Sequence, residues 1–219
     1  SLTENSKVSI SVIISDSEEE HHFDNDSNIN LVEFDPSVKS IGCFTNCTSI
    51  EQIEIPSSIT SIDDNSFNGC TSLNQITLGS SVTKIGENAF NGCYSLVQIT
   101  IPSSVVEIGS GAFCGCSAMT KVIIQSQLTA LKDETFKGCS SLVQISIPHK
   151  VSFIGQRVFH GCTSLKEITI PSSVKIIEEN CFLGCLSLNK VTFEEPSKLS
   201  DIPKYTFSRC TSLTQISLP

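Results

Sequence analysis

The chain has 219 residues, of which 39% are hydrophobic and only 17% charged, with no Trp; that is enough for one substantial core under a skin of Ser, Thr, Asn and Gln. Its formal charge of −9 sits at the start, since residues 1–35 hold nine acids and one base (net −8) and residues 36–219 hold fourteen acids and thirteen bases (net −1). A near-neutral body without a basic stripe excludes phosphate-backbone recognition, so no nucleic-acid partner is expected. No apolar run reaches the roughly 18 residues a membrane span needs.

The first apolar stretch, Val8 to Ile14, is short and interrupted by Ser9 and Ser11, and suits one extended piece. From Asp16 to Asp26 comes an acidic stretch with His21 and His22. It lacks the Asp-x-Asp-x-Asp-Gly register of a calcium loop and reads as a solvated loop, with no metal site. Phe23, Asp26, Ile29, Val32 and Phe34 then mark a degenerate first copy of a pattern that dominates everything downstream. Residues 1–35 are expected to form an acidic N-terminal cap containing that degenerate repeat, and residues 36–219 a tandem array.

Self-similarity decides the fold. Cys47, Cys70, Cys93, Cys116, Cys139, Cys162 and Cys185 fall 23 residues apart, and Cys210 follows after 25, where Glu194 to Lys198 lengthen one loop. A Phe stands three residues before each of these, from Phe44 to Phe207, and Ile50, Leu73, Leu96, Met119, Leu142, Leu165, Leu188 or Leu213 three after. Within the unit Leu96 to Ser117, the period-two pair Ile99 and Ile101 predicts a short half-buried strand. Pro102 ends it, Val105 and Ile108 suit a turn or a second short extended piece, and Ala112-Phe113-Cys114-Gly115 predicts one 3₁₀ or helical turn closed by Gly.

A unit this small cannot bury its apolar face alone, so the copies must stack with equivalent side chains in columns. In the strands, residues between the buried anchors point out. One such column runs Gln52, Gln75, Gln98, Lys121, Gln144, Glu167, Lys190, Gln215, and its neighbour Glu54, Thr77, Thr100, Ile123, Ser146, Thr169, Thr192, Ser217. These columns are either a self-satisfied solvated face or an extended recognition surface. For the second reading the candidate residues are Gln98, Thr100, Lys121, Ile123, Gln144, Glu167 and Thr169, because the repetition breaks at Lys121, Ile123 and Glu167.

One Cys per repeat cannot supply the four convergent ligands of a zinc site, and a buried thiol column is the simpler reading. With eleven Cys, at least one escapes intramolecular pairing, which favours a reducing setting. His149 and His160 lie on different repeats, so no catalytic arrangement and no cofactor is expected. Asn25-Asp26-Ser27 and Asn46-Cys47-Thr48 are N-glycosylation sequons if the chain is secreted. The last copy stops at Pro219 without a polar cap, which predicts that the array continues or that another chain covers its end, self-association included.

Units such as Leu-Val-Gln-Ile-Thr-Ile-Pro-Ser-Ser-Val-Val-Glu-Ile-Gly-Ser-Gly-Ala-Phe-Cys-Gly-Cys-Ser at 96–117 resemble the BspA-like leucine-rich repeats, over about residues 23–219. Gly79 and Gln125 depart from the pattern, replacing the strand-ending Pro and leaving local curvature open. The resemblance implies a right-handed, curved repeat solenoid with a parallel β-sheet on its concave side. It also implies a non-enzymatic interaction or adhesion module at the cell surface, binding a protein or glycan partner through that face, and supplies no catalytic residues. An intracellular scaffold that assembles with other chains is the alternative, given the odd cysteine count.

Overall fold

A computed structural model describes residues 10–14, 23–39, 41 and 43–217. Val8, the acidic stretch from Asp16 to His22, and Pro219 lie outside these residues. The described chain is a solenoid of parallel strands. Nine phenylalanines, Phe23, Phe44, Phe67, Phe90, Phe113, Phe136, Phe159, Phe182 and Phe207, stack in one column with successive ring centroids 5.1–5.9 Å apart and ring planes within 12°. That spacing is set by the backbone, because paired strands of neighbouring turns sit about 4.8 Å apart and leave the rings no other separation. The seven rings from Phe44 to Phe182 are wholly buried. Cys47 to Cys185, Leu73 to Leu188 and the strand anchors Ile53, Ile76, Ile99, Val122, Ile145, Ile168 and Val191 complete the core.

Two ladders run along the stack. In the first, Gln52–Glu54, Gln75–Thr77, Gln98–Ile101 and Lys121–Ile124 form a four-stranded parallel sheet, and Glu167–Ile170, Lys190–Phe193 and Gln215–Ser217 a three-stranded one. Between them the turn of Gln144 contributes a single bridge to Lys121. In the second, the pieces that follow the strand-ending position, Pro in most repeats, are two-residue strands: Ser61–Ile62, Lys84–Ile85 and Glu107–Ile108, then Ala130–Leu131, Phe153–Ile154 and Ile176–Ile177. Both ladders are interrupted within one turn of Gln125, where the strand-ending Pro is missing. At the start, Ile10–Ile14 pairs in parallel with Ile29–Phe34.

The expected 3₁₀ or helical turn is not there. No residue among those described is helical, and the hydrogen bonds say why. In the turn after Gly109, the amides of Ala112, Cys114 and Cys116 donate to the carbonyls of Gly109, Gly111 and Phe113 three residues back. The intervening amides of Gly111, Phe113 and Gly115 donate instead to Asp133, Thr135 and Lys137 of the next turn. Alternate peptides therefore point out of the turn, a reversal that left-handed residues produce: Gly111 (φ 62°) and Gly115 (φ 75°) here, and Asn65, Asn88, Glu134, Arg157 and Asn180 at equivalent positions elsewhere. The segment trades helix for a third ladder between turns.

Candidate interaction face

The strand pattern exposed–buried–exposed of the long-strand sheets places two outward columns on one face. Gln98 and Thr100 flank buried Ile99, Lys121 and Ile123 flank Val122, and Glu167 and Thr169 flank Ile168. Gln98 is in register with Lys121, Thr100 with Ile123, and Lys121 with Gln144. Glu167 and Thr169 belong to the second three-stranded sheet. They nonetheless line a recess of about 310 Å³ together with Gln144, Lys190 and Thr192, so all seven candidate residues share a face. Neighbouring turns in the same register explain this: at a period of 23, a residue can only face the way its equivalents do.

Two features of this face escaped the sequence reading. The column just before the strand (Glu51, Asn74, Val97, Thr120, Val143, Lys166, Asn189) is exposed at each of these positions except Asn74, which is half-buried. Thr120 and Val143 share a recess with Lys121, Ile123, Gln144 and Ser146, which puts that column on the border of the face. Val97 and Val143 are 45% and 40% exposed, close to Ile123 at 38%, so the middle of the face carries an apolar patch. A polar residue at the same position in other repeats was the signal available. At the C-terminal end, His149 Nδ1 approaches Glu194 Oε2 at 3.5 Å.

The thiols are poised for packing, not chemistry. All eleven are unpaired. Each column thiol donates to the carbonyl of the Phe one turn earlier in the stack, from Cys47 Sγ on Phe23 O (2.9 Å) through Cys116 Sγ on Phe90 O (3.2 Å) to Cys210 Sγ on Phe182 O (3.2 Å). Burial pushes Cys47 up to about 11 and Cys70 up to about 12, far from the range of a reactive thiolate. At the turn edge, half-buried Cys114 is also raised by burial, against a smaller lowering by Lys137. Close by, Glu134 accepts from Lys137 (2.9 Å) and Arg157 (3.2 Å), pairs that are part-exposed and contribute little. Among the described residues no group of three or more His, Cys, Asp or Glu is placed to hold a metal ion, and no helix is long and apolar enough to cross a membrane.

Comparison with known proteins follows the same line. The sequence profile of the BspA type leucine rich repeat region, in six copies, matches residues 41–162 and 129–219. A leucine-rich repeat protein from Bacteroides ovatus superposes with a TM-score of 0.70 at 26% identity over 94% of this chain; this chain spans 59% of that one. The leucine-rich repeat protein of T. pallidum gives 0.62 at 28% identity, over 76% of this chain and 85% of that one. The pneumococcal vaccine antigen PcpA gives 0.60 at 22% identity, over 85% of this chain and 57% of that one, a likeness of fold. No protein with a curated description matches. Repeat profile, stacked parallel ladders and solved relatives agree: the chain belongs to the BspA type leucine-rich repeat family, whose solenoids are general scaffolds for protein interaction and adhesion.

Proposed function

We propose that this chain is a non-enzymatic interaction module that binds a protein or glycan partner through the outward columns of its long-strand sheet, the side expected to be concave. The observation that supports this most is the placement of Gln98, Thr100, Lys121, Ile123, Gln144, Glu167 and Thr169 on one continuous face, in which a repetitive polar ladder gives way to Lys121, Ile123 and Glu167. A wholly self-satisfied polar face gains nothing from that break. Solenoids bind through such extended surfaces because many weak side-chain contacts add along the stack. The raised thiol of Cys114 and the separation of His149 from His160 argue against a nucleophilic centre.

The test is capture of partners from the native host by the intact chain and by Lys121→Glu with Glu167→Lys. Loss of the partners held by the unmodified chain supports the face. If charge reversal leaves every one of them bound, the face is the wrong one.

The eleven unpaired cysteines favour a second reading, an intracellular scaffold in a reducing compartment. A glycan on Asn46 in native material eliminates it.

A further inference from the structure

A repeat array marks its own exceptions, because stacking explains a side chain that matches its equivalents and not one that departs from them. Four departures converge at one place. His149 stands where the equivalent turns carry Ser57, Ser80, Ser103, Ser126 and Ser172, and Glu194 where Pro102, Pro148 and Pro171 end the strand. Glu167 and Lys190 replace the Gln that is commonest in their column, as at Gln98 and Gln144. All four line the recess of about 310 Å³ on the long-strand face, over buried Ile145 and Ile168.

The recess is built, and its polar groups are unspent. Glu194 closes one end, accepting from the Ser172 amide (3.3 Å) and lying 3.5 Å from His149 Nδ1. Glu167 and Lys190 are in register on adjacent strands, yet among the described residues neither side chain forms an ion pair or a hydrogen bond. The same holds for the side chains of Gln144, Ser146, Thr169 and Thr192, which line the recess with them. Hydroxyls elsewhere in the stack behave otherwise: Thr83, Ser152 and Thr163 donate to the carbonyls of Thr60, Thr129 and Ser140 one turn back.

We propose that this recess binds one neutral saccharide ring, a terminal or branch unit of a glycan. The carboxylates of Glu167 and Glu194 only accept, the Lys190 ammonium only donates, and the Gln, Ser and Thr groups do both. A ligand made of hydroxyls, each donor and acceptor at once, satisfies all of them. An ionic group of either sign instead meets a like charge within the same recess. The volume lies at the lower end of small-ligand sites, so it admits one ring and not a stretch of chain. No Phe, Tyr or Trp lines it, so the sugar is held chiefly by hydrogen bonds. The roughly dozen heavy atoms of a hexoside then set a dissociation constant on the order of 1 mM.

This assignment rests on the face described under the proposed function. Saturation-transfer NMR on the intact chain tests it with methyl β-glucoside, methyl β-galactoside, methyl α-mannoside and N-acetylglucosamine, each titrated to about 50 mM. At least one of them should bind at about 1 mM, and glucuronate and glucosamine, of similar size but charged, about threefold or more weakly. Glu167→Gln, Lys190→Gln and His149→Ser each restore the residue of equivalent turns, so the circular dichroism spectrum should not change while sugar binding weakens by about threefold to tenfold. Lys84→Ala, on the short-strand ladder, should leave binding as it is. Binding of none of the four neutral sugars overturns the proposal, as does binding indifferent to all three reversions or charged sugars held as tightly as neutral ones. A chain that ignores every sugar yet captures partners lost on reversing Lys121 and Glu167 refutes the recess and leaves the binding face standing.

Discussion

The thiol of Cys93 donates to the carbonyl oxygen of Phe67 across 3.2 Å, and the same bond joins Cys116 to Phe90 and Cys139 to Phe113. The Phe carbonyl already accepts the amide of the Cys three residues on, as Phe67 O does from Cys70. A second lone pair would otherwise be buried without a partner. A small side chain that is apolar enough for the core and still carries a weak donor fills that place, which accounts for Cys at every turn.

That arrangement makes the fold sensitive to alkali. Burial raises the thiols above their ordinary value of about 9, to about 11 for Cys47 and about 12 for Cys70, and further for Cys93 and Cys116. A pKa raised in the folded state stabilises fully below the unfolded value and is lost as pH climbs through the folded one. Each such thiol then removes up to about 1.4 kcal/mol of stability per pH unit above about 9. With several in the column, a rise to pH ~10.5 is comparable to the whole stability of a domain. Urea midpoints followed by circular dichroism should be level from about pH 7 to 8.5 and then fall steeply. A level midpoint to pH ~10.5 contradicts the account.

Truncating the Phe column should cost most in its interior. Phe67 is fully buried between Phe44 and Phe90, so Phe67→Ala should lose about 3–5 kcal/mol. Phe207, half-buried with one stacking neighbour, Phe182, should lose less than half of that as Phe207→Ala. Chemical denaturation of both variants checks the ratio; equal losses argue against a column with a distinct interior.

Close backbone approach predicts an intolerant glycine. A Cβ on Gly109 would lie 2.5 Å from Glu87 N and from Gly86 C, both backbone atoms of the preceding turn. Gly109→Ala must push two turns apart, and should destabilise by about 2–4 kcal/mol although Ala is otherwise the milder residue. A variant with an unchanged urea midpoint would falsify the contact.

The columns were legible because a fixed period forces equivalents to superpose, and Phe90, Cys93 and Leu96 needed no other information. The two-residue strands were only half legible: Val105 and Ile108 signal burial, but a pair such as Glu107–Ile108 becomes a strand only when Lys84–Ile85 of the preceding turn lies beside it. The helical turn was misread at Ala112–Gly115 because Ala and a closing Gly fit a helix end equally well. What excludes it is the left-handed Gly111, matched by Asn88 one turn earlier. On the face, Lys121, Ile123 and Glu167 stood out as breaks in the columns, while Val97 and Val143 did not, since periodicity alone left that position undecided between border and core.

Counting thiols tests the stack most directly. Cys47, Cys70, Cys93, Cys116, Cys139, Cys162, Cys181 and Cys185 are buried, and Cys43, Cys114 and Cys210 half-buried. Iodoacetamide at neutral pH, read by intact mass, should add no more than three groups to the native chain and eleven after denaturation, one for each cysteine in the sequence. Native protein that takes up all eleven at the rate of the denatured chain contradicts a core in which one turn shields the next.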